Sequence, residues 1–241
     1  MSYLNKSIYI LIPTILITQF FGIRIFNRKS ANKEYEIAKN ITKINQSKLD
    51  HINQLIVVFN DASESSDAIL VALEKKDSTW NVKFGPIKTR IGKNGFAYPD
   101  TKLEGDGKSP TGLFRLGQLF SYESKVNTQL PFIQTTTNDK WIDDPESADY
   151  NKYIRGETSA KSYEKLLIGS DAYKYCMVIE YNTNPIVKGK GSAIFFHLGN
   201  EATSGCVTIS EKDMKQILHW MLPGKNPCII MGNKDALLKG L

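Results

Sequence analysis

Cysteine and histidine are scarce in this chain of 241 residues. There are three of the first, Cys176, Cys206 and Cys228, and three of the second, His51, His197 and His219. No Cys-x-x-Cys pair and no Cys/His cluster occurs, which argues against a zinc site of ordinary ligand spacing, and no other metal or cofactor is implied. No Lys/Arg patch interleaved with aromatics occurs, which argues against nucleic acid as a partner. There is no internal repeat and no low-complexity tract. The Gly/Asp-rich stretch from Lys102 to Gly112 lacks the regular acidic spacing of an EF-hand. Its glycines do not open a helix as those of a P-loop do.

What is present is ordinary for a globular protein: 41% apolar and 23% charged residues, in a length that suits one domain plus a tail. Seventeen glycines, eleven tyrosines and eleven phenylalanines suit strands and turns. The net charge is +6. Lys6, Arg24, Arg28 and Lys29 lie in or beside an N-terminal apolar segment, and without them the remainder is about +2. The folded part is therefore only mildly basic.

Residues 1–29 carry that segment. The apolar run Ile8–Ile23 is interrupted by Pro13, Thr14, Thr18 and Gln19, is long for a signal sequence, and is shorter than the roughly 20 residues of a full span. It reads as an export signal or a retained membrane anchor. Arg24, Arg28 and Lys29 on its C-terminal side conflict with that reading, because the positive-inside rule puts them in the cytoplasm. Residues 30–53 are polar with apolar positions at helical spacing (Tyr35, Ala38, Ile41, Ile44) and read as a helical spacer. Residues 54–241 read as the folded domain. Strands are predicted at Leu55–Phe59, Ala68–Leu73, Trp80–Arg90, Leu113–Leu116, Tyr175–Tyr181 and Pro227–Met231, with a short helix at Lys161–Leu167. Ser210 is a natural N-cap for a helix whose apolar face is Met214, Ile217, Leu218 and Met221, ended by Leu222-Pro-Gly224. Cys176 and Cys228 lie in apolar strand-like runs, as buried thiols or as a disulfide if those strands adjoin.

The chemistry concentrates between Ser192 and Ile209. Ala193–Phe196 is a β-branched and aromatic run that places His197 at a strand end. Gly199-Asn200 breaks the strand, and Cys206 follows in a Gly-flanked turn. A hairpin-like return would bring the imidazole of His197 beside the thiol of Cys206. A neighbouring imidazole lowers a thiol's pKa and takes its proton. Gly205 permits a tight turn that would aim its own amide and that of Cys206 at an oxyanion. Asp143 and Asp144 are adjacent, and neighbours on an extended segment point to opposite sides, so they do not form a glycosidase pair.

The segment His197…Thr203-Ser204-Gly205-Cys206-Val207 resembles the signature of the L,D-transpeptidase catalytic domain, also called the YkuD or ErfK/YbiS family. Two departures stand out: Ser204 occupies the place of a second His and Thr208 that of an Arg. The stretches Lys102–Gly112, Trp141-Ile-Asp143-Asp144-Pro145…Tyr150-Asn151 and Glu180-Tyr181-Asn182 are similar to a divergent branch of that family, and the resemblance spans roughly residues 54–232. It implies a mainly β, L,D-transpeptidase-like β-sandwich with a few short helices behind the N-terminal segment. It implies Cys206 as nucleophile, His197 as base, the Leu198 carbonyl as the group orienting the imidazole, and Gly205 in the oxyanion site. It implies substrate contacts from Thr203, Ser204, Trp141, Asp143, Tyr150, Asn151, Tyr181 and Asn182. The implied substrate is the peptide stem of peptidoglycan, and the implied place is the cell envelope, periplasmic or otherwise extracytoplasmic. The alternatives are an L,D-carboxypeptidase or hydrolase using the same pair, a catalytically silent envelope module that binds cell-wall peptide, or a cysteine peptidase.

Overall fold

The computed structural model describes residues 31–241, so the apolar run Ile8–Ile23 and the anchor reading lie outside the described residues. Among the described residues no helix is long and apolar enough to cross a membrane. The architecture is mainly β. Twelve strands run in chain order: β1 Gln54–Asn60, β2 Asp67–Lys76, β3 Thr79–Arg90, β4 Gly112–Ser121, β5 Phe132–Gln134, β6 Asp139–Ile142, β7 Tyr153–Arg155, β8 Tyr163–Lys165, β9 Tyr175–Ile179, β10 Phe195–Leu198, β11 Val207–Ile209 and β12 Cys228–Asn233. The helices are α1 (31–44), α2 (Glu211–Trp220) and α3 (Lys234–Leu237).

Nine strands form one sheet in the order β12-β1-β2-β3-β11-β10-β9-β4-β5. The sheet curves back on itself at β4, whose first half pairs with β12 and whose second half pairs with β9. Successive side chains on a strand point to opposite faces, and here both faces are covered. Ile56, Val58, Leu70, Met177, Phe196, Leu198, Val207 and Met231 pack inward, where Met214, Ile217 and Leu218 of α2 join them. The alternate residues of β1 and β2, such as Val57, Phe59 and Val71, pack outward under α1 and α3. A strand buried on both sides reads as a continuous apolar run, which is why β1 and β12 were visible in the sequence. The capped helix α2 follows expectation: the Ser210 hydroxyl accepts the Asp213 N–H at 3.2 Å.

The helix expected as a spacer is docked on the domain. Ala38 and Ile41 are fully buried in the outer cluster over β1 and β12, while Lys33, Glu36, Lys39 and Lys43 face solvent. Residues 161–167 form no helix. Tyr163–Lys165 is a strand that pairs with β6 in a small sheet, β7-β6-β8, because cross-strand pairing outweighs a short segment's helical preference. Cys176 and Cys228 do not pair: both are buried free thiols, on β9 and β12, in different clusters.

The strand carrying His197 and the one after Cys206 are not a hairpin. β10 and β11 run parallel, with Phe196 beside Val207 and His197 beside Thr208. The loop at 199–206 carries the chain back along β10 before β11 begins. Phe195, His197, Cys206 and Thr208 therefore share the outer face of the main sheet, and the small sheet covers part of that face through Trp141.

Candidate active site

A cavity of about 430 Å³ opens on this outer face, and His197, Leu198, Thr203, Ser204, Gly205, Cys206 and Asp143 all line it. Cys206 sits in its floor, 9% exposed. Its sulfur accepts the Phe195 amide N–H at 3.3 Å and donates to the Ala193 carbonyl at 3.4 Å. Ala193 adopts φ +51°, a left-handed conformation that costs a residue with a Cβ and recurs at functional sites.

The turn before Cys206 is tied on both sides. Thr203 Oγ accepts the Gly205 N–H at 3.1 Å and donates to the Cys206 carbonyl at 2.7 Å. Ser109, fully buried, donates to the Gly205 carbonyl at 2.7 Å and accepts the Gly92 N–H at 2.9 Å. Glycine is required at 205 by close approach: a Cβ there would stand 3.0 Å from both Ile194 Cδ1 and the Lys108 carbonyl. The Gly205 amide, expected at an oxyanion, is thus committed to Thr203.

His197 Nδ1 lies 2.9 Å from the Leu198 carbonyl. A carbonyl only accepts, so Nδ1 carries the proton and Nε2 is left as the basic nitrogen. The Tyr173 ring meets the imidazole edge-on at 5.0 Å between centroids. Burial pulls the imidazole's pKa below its ordinary value, against the carbonyls of Leu198 and Ala172, which favour the charged ring. The thiol does not behave as its sequence setting suggested. Burial pushes Cys206 up to about 12, with the Glu164 carboxylate adding to the rise and the Phe195 N–H and Lys102 opposing it. Thiol and imidazole are both neutral at rest, and no hydrogen bond joins them among the described residues. Such contacts often close only when substrate is bound.

The remaining predicted contacts divide. Asp143 lines the cavity and one of its oxygens is buried without a partner. Asp144 turns away to accept the Lys161 and Glu146 amides. Trp141, Tyr150, Asn151, Tyr181 and Asn182 are not in the cavity wall but behind it. Asn151 is the hub: its Oδ1 accepts Trp141 Nε1 at 2.8 Å and the Ala193 N–H at 3.1 Å, and its Nδ2 donates to the Tyr181 and Asn182 carbonyls. Asn182 holds Val187 and Gly191 through its own amide. Tyr181 donates to the Lys190 carbonyl. Tyr150 donates to Glu104 and accepts the Gly191 N–H. These residues position the segment that delivers Ala193 to the sulfur.

Sequence reasoning missed Glu164 and Tyr173, which line the cavity. The Tyr173 hydroxyl reaches Glu164 at 3.4 Å, and burial together with Asp143 raises the Glu164 pKa. Reading 161–167 as a helix hid them, since a strand there points Glu164 across from Trp141. Lys102 and Glu104 fall within the loop expected at the cleft rim. Lys102 is 3% exposed and holds Asp106 Oδ1 and the Leu103 carbonyl, each at 2.7 Å.

Over residues 57–230 the sequence matches the YkuD family, described as the L,D-transpeptidase catalytic domain. Comparison with curated proteins finds no match. Among solved structures, the helical cell shape determining protein Pgp2 from Campylobacter jejuni is similar at 16% identity over 78% of this chain, with a TM-score of 0.40. The match covers 52% of that protein, so this chain spans about half its length.

Proposed function

The chain belongs to the YkuD family of L,D-transpeptidase catalytic domains, a family of peptidoglycan enzymes, and from that premise we propose that it is an L,D-transpeptidase acting on peptidoglycan stem peptides through a thioester on Cys206. The observation that supports this reading is that Cys206 and His197 line one cavity, with the imidazole's Nδ1 held on the Leu198 carbonyl.

His197 Nε2 takes the thiol proton as the sulfur attacks the amide carbonyl before the terminal residue of the stem. Because thiol and imidazole start neutral, proton transfer accompanies attack and no ion pair precedes it. The Phe195 N–H and Lys102 favour the sulfur's negative charge as it develops, and the Leu198 and Ala172 carbonyls favour the imidazolium. The Cys206 amide and the Ser204 hydroxyl serve the oxyanion. One such donor lowers a barrier by about 3 kcal/mol. His197 then protonates the departing amine and leaves the thioester. Attack by an amine completes transpeptidation, and attack by water would give carboxypeptidase products from the same intermediate. The proposed setting is the cell envelope, outside the cytoplasm, with the N-terminal segment as the membrane link.

Burial of the thiol is also what a silent peptide-binding module would show. The two readings part on product formation. Tetrapeptide stems incubated with the full chain should be trimmed or exchanged at the terminal residue, and Cys206→Ala should abolish this. Equal turnover by that variant would reject the assignment.

A further inference from the structure

Ile44, Tyr98, Leu103 and Val187 are the large apolar side chains exposed among the described residues. A single exposed apolar group is ordinary, but several on one surface with a polar rim mark a contact. Three of these four stand on two loops that are tied together beside the cavity holding Cys206. A turn closes on Tyr98, whose carbonyl accepts the Thr101 N–H at 3.1 Å and the Thr101 hydroxyl at 3.0 Å. Leu103 follows, between Lys102 and Glu104, which both line the cavity. The Glu104 N–H donates to the Gly189 carbonyl at 2.9 Å, and Val187 is two residues from that junction. Asn94, Asp100, Lys188 and Lys190 are exposed around these loops.

The apolar groups are held in place rather than left loose. Asp106 accepts the Leu103 N–H at 2.9 Å, and Asn182 accepts the Val187 N–H at 2.7 Å. Thr111 donates to the Ala97 carbonyl, next to Tyr98, at 2.6 Å. A surface fixed in advance loses little freedom when it is covered. It is also near the nucleophile. Ser109 donates to the Gly205 carbonyl, and its own carbonyl accepts the Ala97 N–H at 2.8 Å. Those two contacts and one further residue set Tyr98 within about 15 Å of Cys206.

We propose that Tyr98, Leu103 and Val187 form a ledge for the glycan strand that carries the stem, with the Tyr98 ring stacked on an N-acetylated pyranose. The proposal rests on the stem-peptide reading above and adds a saccharide to the substrate. In a thioester at Cys206, three stem residues separate the bound carbonyl from the sugar. An extended chain covers at most about 3.5 Å per residue, so the first sugar lies roughly 10 Å from the carbonyl, a distance that matches the ledge. A pyranose presents C–H groups on its faces and hydroxyls on its edge. The face packs on an aromatic ring, the N-acetyl methyl packs on Leu103 or Val187, and the edge stays among polar groups and water. A ledge placed by the cavity mouth suits a ligand covalently joined to whatever fills the cavity.

The test compares two probes on the full chain carrying Cys206→Ala. One is a tetrapeptide stem bearing the N-acetylglucosaminyl-N-acetylmuramyl disaccharide. The other is the lactoyl-tetrapeptide, the same stem without sugar. By calorimetry the disaccharide probe should bind about tenfold more tightly, the scale of covering one ring face and its aliphatic neighbours. Adding Tyr98→Ala or Val187→Ser should shrink that difference and leave the lactoyl probe unchanged, while Tyr98→Trp should keep it. With Cys206 intact, Tyr98→Ala should raise KM for the disaccharide probe at unchanged kcat. Equal affinity for the two probes, or a difference that survives Tyr98→Ala in full, would overturn the ledge. So would Tyr98-dependent binding to anionic phospholipid vesicles in place of that difference. The thioester is read separately, as the wild-type Cys206 adduct with the lactoyl probe, so each reading fails on its own.

Discussion

The amide N–H of Phe195 meets the sulfur of Cys206 at 3.3 Å. The contact follows from register: β10 and β11 run parallel, so the residue two before His197 falls beside the residue just before β11. A backbone donor of this kind is fixed in advance, and its hydrogen bond strengthens as a sulfur acquires negative charge. The thiol is thus oriented by main chain, through the Phe195 N–H and the Ala193 carbonyl.

The turn that presents Cys206 is bridged from within by one hydroxyl. Thr203 Oγ bridges the Gly205 N–H and the Cys206 carbonyl. Thr203→Val should slow Cys206 acylation by about 10- to 100-fold, because small misplacements of a nucleophile are costly. The same change should lower stability by only about 1–2 kcal/mol. Stopped-flow acylation and a denaturant midpoint measure the two separately. A large stability loss with normal acylation would mean the bridge serves the fold alone.

The acid limb of the rate profile reports His197. Burial lowers its pKa from the ordinary value of 6.5, and the ring must be neutral to accept a proton. Acylation should rise with pH along a limb below 6.5 and then stay level through pH 8.5, since burial holds the thiol protonated up to about 12. A rise that continues through pH 8–9 would show a thiolate formed before attack.

Tyr150 supports the site from behind. Its hydroxyl joins Glu104 Oε2 at 2.5 Å to the Gly191 N–H at 3.1 Å. Tyr150→Phe should cost about 1–3 kcal/mol of unfolding free energy with an unchanged denaturant slope. Turnover per folded molecule should fall by less than about tenfold, as expected for a group with no contact to the reacting atoms. A raised KM for the stem at unchanged stability would restore Tyr150 to the substrate wall.

The small sheet over the site hangs on Asp139. Its fully buried carboxylate takes Arg155 Nε at 2.6 Å, the Tyr153 hydroxyl at 2.5 Å and the Thr136 N–H at 2.6 Å. Although burial alone would raise its pKa, these donors hold it well below the usual carboxylate range. A depressed carboxylate stabilises above its unfolded pKa, about 4. That contribution is fully present at pH 7 and drains away as pH falls below 4 toward the folded value. Asp139→Asn should cost about 2–3 kcal/mol at pH 7 and flatten the acid side of the stability curve. An unchanged slope between pH 4 and 2 would contradict this.

The sequence made the core legible wherever burial is two-sided or amphipathic. β1 and β12 appear as unbroken apolar runs, and α2 appears from its cap at Ser210 and its single apolar face. The place of His197 at a strand end and of Cys206 in a glycine turn was also legible, while Leu198 and Thr203 entered only through the family resemblance. Less visible was anything set by partners distant in sequence. Whether β11 returns antiparallel or parallel depends on β3, which holds its other edge through Arg90. Tyr163–Lys165 is a strand only because β6 pairs with it. Trp141, Tyr150, Asn151, Tyr181 and Asn182 looked like a pocket wall because mixed aromatic and amide groups suit either a wall or a framework. The hydrogen-bond partners of Asn151 are those of a framework, and they lie 10 to 42 residues away along the chain.

The most direct test of the central claim is the intact mass of the full chain, quenched in acid after mixing with a tetrapeptide stem. The account predicts a transient adduct equal to the stem without its terminal residue. It should map to the peptide that contains Cys206, be released by hydroxylamine, be absent in Cys206→Ala and form much more slowly in His197→Ala. Stem turnover without any adduct at Cys206, or an adduct on another residue, would contradict it.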